Sequence, residues 1–184
     1  MQTTQPEPAV SAGRKNYPRK LTFYHPTGAG NGTAMQIEPR LNTADTDRYN
    51  CFFLEMARQK TASSRTAGGK TPATFDWENK LTVKLDFFDI CEFLNVLEGR
   101  SECVGGERKG LYHENGKATT MITLQRKTDK PGYFLGLSRK DKQGGQPIRL
   151  GISLGESEAV GLRCIFQTSL LMIAFHSQLM LPAS

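Results

Sequence analysis

The sequence predicts an α+β protein in which four strand-like runs followed by a helix occur twice. Three observations carry this expectation. Apolar residues fall on alternate positions in short runs that Gly, Pro and Asn clusters separate. The period lengthens to three and four residues after Asp86, and again after Gly155. The 184 residues suit one domain, because a chain of this length can bury a core without a metal or disulfide to hold it.

Residues 1–18 carry Pro6, Pro8 and Pro18 with Arg14 and Lys15 and little to bury, so they read as a disordered basic tail before a domain over 19–184. In "KLTFYHP" Leu21, Phe23 and His25 alternate with Lys20, Thr22 and Tyr24, and "TGAGNG" turns the chain into a second strand, "TAMQIEP". A third strand, "NCFFLEMARQK", runs into a long small-residue loop, "TASSRTAGGKTPAT". From Phe75 to Leu85 a fourth strand would bury Phe75, Trp77, Leu81, Val83 and Leu85 and turn Lys80, Thr82 and Lys84 outward. Phe88, Cys91, Phe93, Leu94 and Leu97 then mark a helix that Gly99 stops. "GLYHEN", "ATTMITLQRK", "GYFLGLSRK" and "PIRLGISLG" repeat the four strands. A last helix begins near Glu156, with Val160, Leu162, Phe166, Leu170 and Ile173 on its stripe and an apolar C-terminal half that calls for a deep core or a second subunit.

Net charge is +6 with a pI near 9.2, which points to a polyanionic partner. Arg58, Lys60, Arg65 and Lys70 span thirteen residues without an acid, and Arg126 to Arg149 holds seven basic residues against Asp129 and Asp141. Cys51, Cys91, Cys103 and Cys164 lack zinc-site spacing, and His25, His113 and His176 form no metal or nucleophile motif, so neither a cofactor nor an enzyme is expected. "GAGNG" opens into a strand and serves as a turn, not a dinucleotide loop. No apolar run reaches the ~18 residues of a bilayer span, and a cytoplasmic protein is expected, with an organelle matrix as the alternative. Phe75 and Trp77 share the parity of core residues, whereas Tyr24, beside Lys20, is placed to stack on a base.

"FDWENKLTVKLDFFDICEFLNVLEG", "GLYHENGKATTMITLQ", "PGYFLGLSRK" and the closing helix resemble, in order and spacing, the Whirly family of single-stranded DNA-binding proteins, and also the trypanosomal mitochondrial guide-RNA-binding proteins. The resemblance covers about Lys20 to Phe175. It implies two antiparallel four-stranded sheets packed roughly perpendicular, each followed by a helix, and a homotetramer assembled through helices. Where plant members carry a Lys-Gly-Lys-Ala-Ala-Leu element, this chain reads "NGTAMQ" over Asn31 to Gln36 and lacks both lysines; its longer Arg58 to Thr74 loop and a final helix without the plant Gly-Trp ending point to a bacterial or phage-type relative.

The resulting expectation is a non-catalytic, sequence-tolerant protein for single-stranded DNA, with RNA or a protein partner as the alternatives. Lys20, Lys60, Lys80, Lys84, Lys117, Arg139, Lys140 and Arg149 would meet phosphates while Tyr24, Phe53 and Tyr112 stack on bases. Leu170, Leu171, Ile173 and Phe175 would form the subunit interface, with no membrane and no small-molecule substrate involved.

Overall fold

The computed structural model describes residues 20–40, 50–66 and 69–175, so the expected tail over 1–18 lies outside the described residues. The first half runs β1 (Leu21–His25), β2 (Thr33–Arg40), β3 (Cys51–Thr61), β4 (Ser64–Thr66), β5 (Gly69–Thr71), β6 (Thr74–Phe75), β7 (Leu81–Leu85) and α1 (Phe87–Leu97). The second runs β8 (Leu111–Glu114), β9 (Ala118–Arg126), β10 (Tyr133–Asp141), β11 (Ile148–Leu154) and α2 (Glu156–Phe175). Among the described residues every strand pairing is antiparallel.

The second sheet has the four strands expected, in the order β11-β10-β9-β8. The first has five, because the run from Phe75 to Leu85 is not one strand. Asn79 donates to Asp76 from its backbone (3.3 Å) and its side chain (2.9 Å), closing a turn that breaks the ladder. β6 therefore pairs with the far end of β3, Gln59 opposite Phe75, while β7 pairs with its first half, Phe52 opposite Leu85. The turn removes Phe75 and Trp77 from the parity of Leu81, and both are half-buried outside the core cluster. Part of the expected loop is also ordered, as the β4–β5 hairpin.

Register sets the two faces of each sheet. Met35, Ile37, Phe52, Leu54, Met56, Leu81, Val83 and Leu85 share one face of the first sheet. Ile122, Leu124, Leu135, Leu137, Leu150, Ile152 and Leu154 share one face of the second, and all belong to a single buried cluster. The sheets meet where β11 packs on β2 and β3, and the two helices pack on each other. Phe166 of α2, fully buried, stands edge-on to Phe52 of the first sheet (5.6 Å) and to Phe93 of α1 (5.7 Å). This ring joins three elements.

By length and composition α2 could cross a membrane, which the count of apolar runs did not bring out. Its Ala159, Leu162, Phe166, Ser169 and Ile173 are buried within the chain, and 28% of the apolar window is buried in all.

The two helix starts share one feature, a carboxylate at the third position that accepts from the backbone amide just before the helix. Asp86 caps α1 and accepts from the Phe88 and Asp89 amides, while Asp89, third in the helix, accepts from the Asp86 amide through Oδ2. Its Oδ1 faces Nε2 of His113 on β8 at 3.0 Å. In α2 the third residue is Glu158, which accepts from the Gly155 amide through Oε2 and meets Nε2 of His25 on β1 through Oε1 at 2.7 Å. Each helix start is thus tied to the first strand of the other half. Burial pushes the Asp89 carboxyl above its ordinary value, against the Asp86 amide and His113, which pull it down.

Candidate nucleic-acid interface

With one face of each sheet in the core, the opposite faces remain for a partner, and their chemistry differs. On the first sheet the outward row Thr22, Gln36, Glu55 and Thr82 crosses four strands in register. Glu55 is only 6% exposed and gathers the Lys80 and Lys20 ammonium groups (2.9 and 3.1 Å), the Gln36 amide and, at 3.4 Å, the Thr82 hydroxyl. Burial alone would raise its pKa, but the hydrogen bonds from Lys80, Lys20 and Gln36 outweigh that and hold the carboxyl below its ordinary value. Glu38, also buried, takes Lys20 at 2.8 Å, and Arg40 Nε lies 3.0 Å away without hydrogen-bond alignment. Arg40 also stands over the Phe53 ring, 5.7 Å from its centroid. Two of the expected phosphate contacts, Lys20 and Lys80, are therefore occupied by the sheet's own acids. Lys84 stays exposed, opposite Phe53.

Tyr24 is 57% exposed and sits at the open edge of this face, as a stacking residue requires. It is not alone there. Phe75 lies 5.5 Å from it and Trp77 stands edge-on at 6.5 Å, so the two aromatics expected in the core form a surface cluster with it. The adjacent register positions, Ala34 and Ala57, are small and fully buried.

The outer face of the second sheet carries Tyr112 and Glu114 on β8, Thr119, Met121, Thr123 and Gln125 on β9, Phe134, Gly136, Ser138 and Lys140 on β10, and Arg149, Gly151 and Ser153 on β11. Tyr112 (57%) and Phe134 (38%) are exposed rings, and Lys140 and Arg149 are exposed cations. The single acid in this set, Glu114, lies at the rim and is held by Lys142, whose hydrogen bond and charge keep its carboxyl below the ordinary value. The interior of the face has polar hydroxyls and no carboxylate. Arg139, expected beside Lys140, points to the opposite face and pairs with Asp141 at 3.2 Å, as alternation requires.

Lys117 is exposed in the β8–β9 turn, and its carbonyl accepts from the Lys142 amide, which sets it next to the β10–β11 turn. Lys60 is exposed at the end of β3, away from these residues. In the β4–β5 hairpin Arg65 stands opposite Lys70, and both line a cleft of about 300 Å³ with Ser63 and Ser64. Like charges facing each other across a ladder destabilise it, and an anion relieves that cost. Among the interface candidates on α2, Leu171 and Phe175 are exposed (61% and 73%), and Leu170 is half-buried against the core. Ile173 is 3% exposed within its own chain, so it is a core residue with nothing to offer another copy. Phe134 was missed in the sequence, although its parity, opposite to Tyr133, Leu135 and Leu137, marks it as outward-facing.

No group of three or more His, Cys, Asp or Glu that could hold a metal ion occurs among the described residues. The cysteines are all free.

No family model matches the chain, and no curated protein is significantly similar to it. Solved structures are. WHY1 from Arabidopsis thaliana superposes with a TM-score of 0.68 at 17% identity, covering 89% of each chain. WHY3 from the same plant gives 0.67 at 17%, covering 88% of this chain and 92% of that one. A guide-RNA-binding protein complex bound to a guide RNA gives 0.57 at 17%, covering 88% and 97%. The fold is Whirly-like.

Proposed function

We infer that this chain, which has the Whirly-like fold, is a non-catalytic single-stranded nucleic-acid-binding protein, largely indifferent to sequence and working in the cytoplasm. The observation that carries the reading is the outer face of the second sheet, where the exposed rings of Tyr112 and Phe134 and a set of hydroxyls share one surface with Lys140 and Arg149, with no carboxylate in the interior. Cations neutralise phosphates and release counterions, while rings hold bases by stacking, which is tolerant of sequence because every base has a π-face. A duplex hides its bases and offers such a face only its phosphates. Single strands are therefore expected to bind at least tenfold more tightly than duplex of the same sequence in a fluorescence titration at fixed salt. Equal affinities would end the proposal.

DNA is the first choice of strand. A guide-RNA-binding complex among the structural neighbours favours RNA as the second reading. Competition between DNA and RNA oligomers of one sequence separates the two, since only RNA carries the 2′-hydroxyl.

The proposed working form is a homotetramer with roughly perpendicular sheets in each protomer, supported by the exposed apolar end of α2 at Leu171 and Phe175. Leu171→Glu would place a charge in that interface. By light scattering the variant is expected to lose the four-protomer mass, and in titrations to lose the preference for long over short strands, since a long strand gains by touching several protomers. A variant that keeps the wild-type mass, or a monomer that keeps the length preference, contradicts this assembly.

A further inference from the structure

The register partners Gly136 on β10 and Gly151 on β11 lie side by side on the outer face of the second sheet, and the Phe134 ring leans across both. A Cβ at Gly151 would come within 2.4 Å of the ring's Cζ and 2.9 Å of its Cε2, and one at Gly136 within 3.3 Å of Cε1. No left-handed backbone explains glycine at either position. At Gly151 the ring explains it, since a larger side chain would push the ring off the sheet; at Gly136 a Cβ would meet the Thr123 Oγ1 first, at 2.7 Å, and the ring second. A sheet with no use for a recumbent Phe would gain by placing β-branched residues there, because glycine in a strand interior costs stability. The arrangement lowers an aromatic ring onto the backbone and keeps it 38% exposed.

The surroundings match one kind of occupant. Gln125 and Ser153 flank Phe134 as its register partners, offering an amide and a hydroxyl in the plane of the face. Arg149 lies two residues from Gly151 on the same face, opposite Ser138, and Lys140 lies two residues beyond Ser138. A flat apolar plate, polar groups at its margin and cations beyond it are complementary to a base, its edge and its phosphates. We propose that Phe134, seated on Gly136 and Gly151, is the stacking platform for one unpaired nucleobase, with Arg149 and Lys140 holding the adjoining phosphates. This rests on the single-strand reading above and assigns it a place.

The test compares labelled oligo(dT) with an abasic strand of the same length, which keeps the phosphates and lacks the bases. For Phe134→Ala, affinity for oligo(dT) is expected to fall about tenfold, within the range stacking contributes per base, and affinity for the abasic strand to change less than twofold. Phe134→Tyr is expected to restore oligo(dT) binding, and Phe134→Leu, which keeps apolar bulk without a π-face, is not. Should the alanine variant unfold, the Tyr and Leu pair decides the question alone. Gly151→Ala lifts the ring without removing it and is expected to weaken oligo(dT) binding threefold or more. If the wild type binds single strands and these variants bind oligo(dT) as it does, the platform is wrong while the single-strand reading stands. An equal loss on both strands also overturns it, because the ring would then be supporting the phosphate contacts. If the wild type binds neither strand, both proposals fall.

Discussion

Replacing Phe166 with alanine is expected to lower the free energy of unfolding by about 3–5 kcal/mol, the range for deleting a large buried aromatic. The residue is fully buried, and its ring is shared by the first sheet through Phe52 and by α1 through Phe93. Edge-to-face aromatic pairs add about 0.5–1.5 kcal/mol each beyond area burial. The cavity would open where three elements meet, so no single one could shift to close it. Denaturant melts with the slope held common should give the loss directly, and the melting temperature should drop roughly 6–20 °C for a chain of this size. Phe166→Leu should lose less. A loss below about 1 kcal/mol for the alanine variant would mean that α2 is not held through this ring.

Glu55→Gln should give the second-largest effect. The substitution keeps the shape and one acceptor while removing the charge that Lys20 and Lys80 share. A loss of about 1.5–3 kcal/mol is expected, as for hydrogen bonds to a charged group. The larger cost of stranding a wholly buried ion is not expected, since the lysine side chains keep 31% and 32% exposure and Lys20 retains Glu38. The pH dependence follows from the lowered carboxyl. The folded state holds Glu55 ionised more firmly than the unfolded chain does, so its contribution is complete above the unfolded value, about pH 4.3, and is lost as pH falls through the folded one. Asp89, raised by burial, contributes with the opposite sign. The wild type should therefore lose stability on acidification more steeply than Glu55→Gln, and parallel profiles would refute the assignment. The variant also tests which face binds. It removes one negative charge from the first sheet and frees Lys80 of its carboxylate, so a strand crossing that sheet would bind more tightly. With the second sheet as the binding face, affinity should change less than twofold.

Much of this architecture is legible in the residues because alternation and helical spacing report burial directly. β1 to β3, α1 and β8 to β11 stand where their patterns place them. The failures have physical causes. Phe75 and Trp77 keep the parity of Leu81 by coincidence, and the Asp76–Asn79 turn, a local hydrogen-bonding event, overrides it. Ile173 shares the stripe of Leu162 and Phe166, which marks it for the core, but the C-terminal half of α2 is apolar nearly all round, so Ile173 and Leu171 look alike as interface residues. The fate of Lys20 was hidden for a different reason. Its partner Glu55 is 35 residues away in the chain, and only strand register brings them together. Phe134 was within reach, since Phe134, Gly136 and Ser138 share one parity, but the meaning of the glycines depends on Gly151 from another strand.

The crossed ties between strands and helix starts bear on how the chain comes off the ribosome. His25 meets a carboxylate that lies 133 residues later, so β1 and α2 are bound to each other across most of the 184-residue chain. At cellular rates of synthesis, about 5–20 residues per second, β1 is made roughly 7–27 s before its partner exists. Until then the first sheet has neither Phe166 for its core nor Glu158 for His25. The amino-terminal half cannot finish as an independent unit, and the contacts that complete it are among the most distant in sequence, which slows folding. The nascent first sheet must wait with part of its apolar face uncovered, and a chaperone is most useful to this protein in that interval.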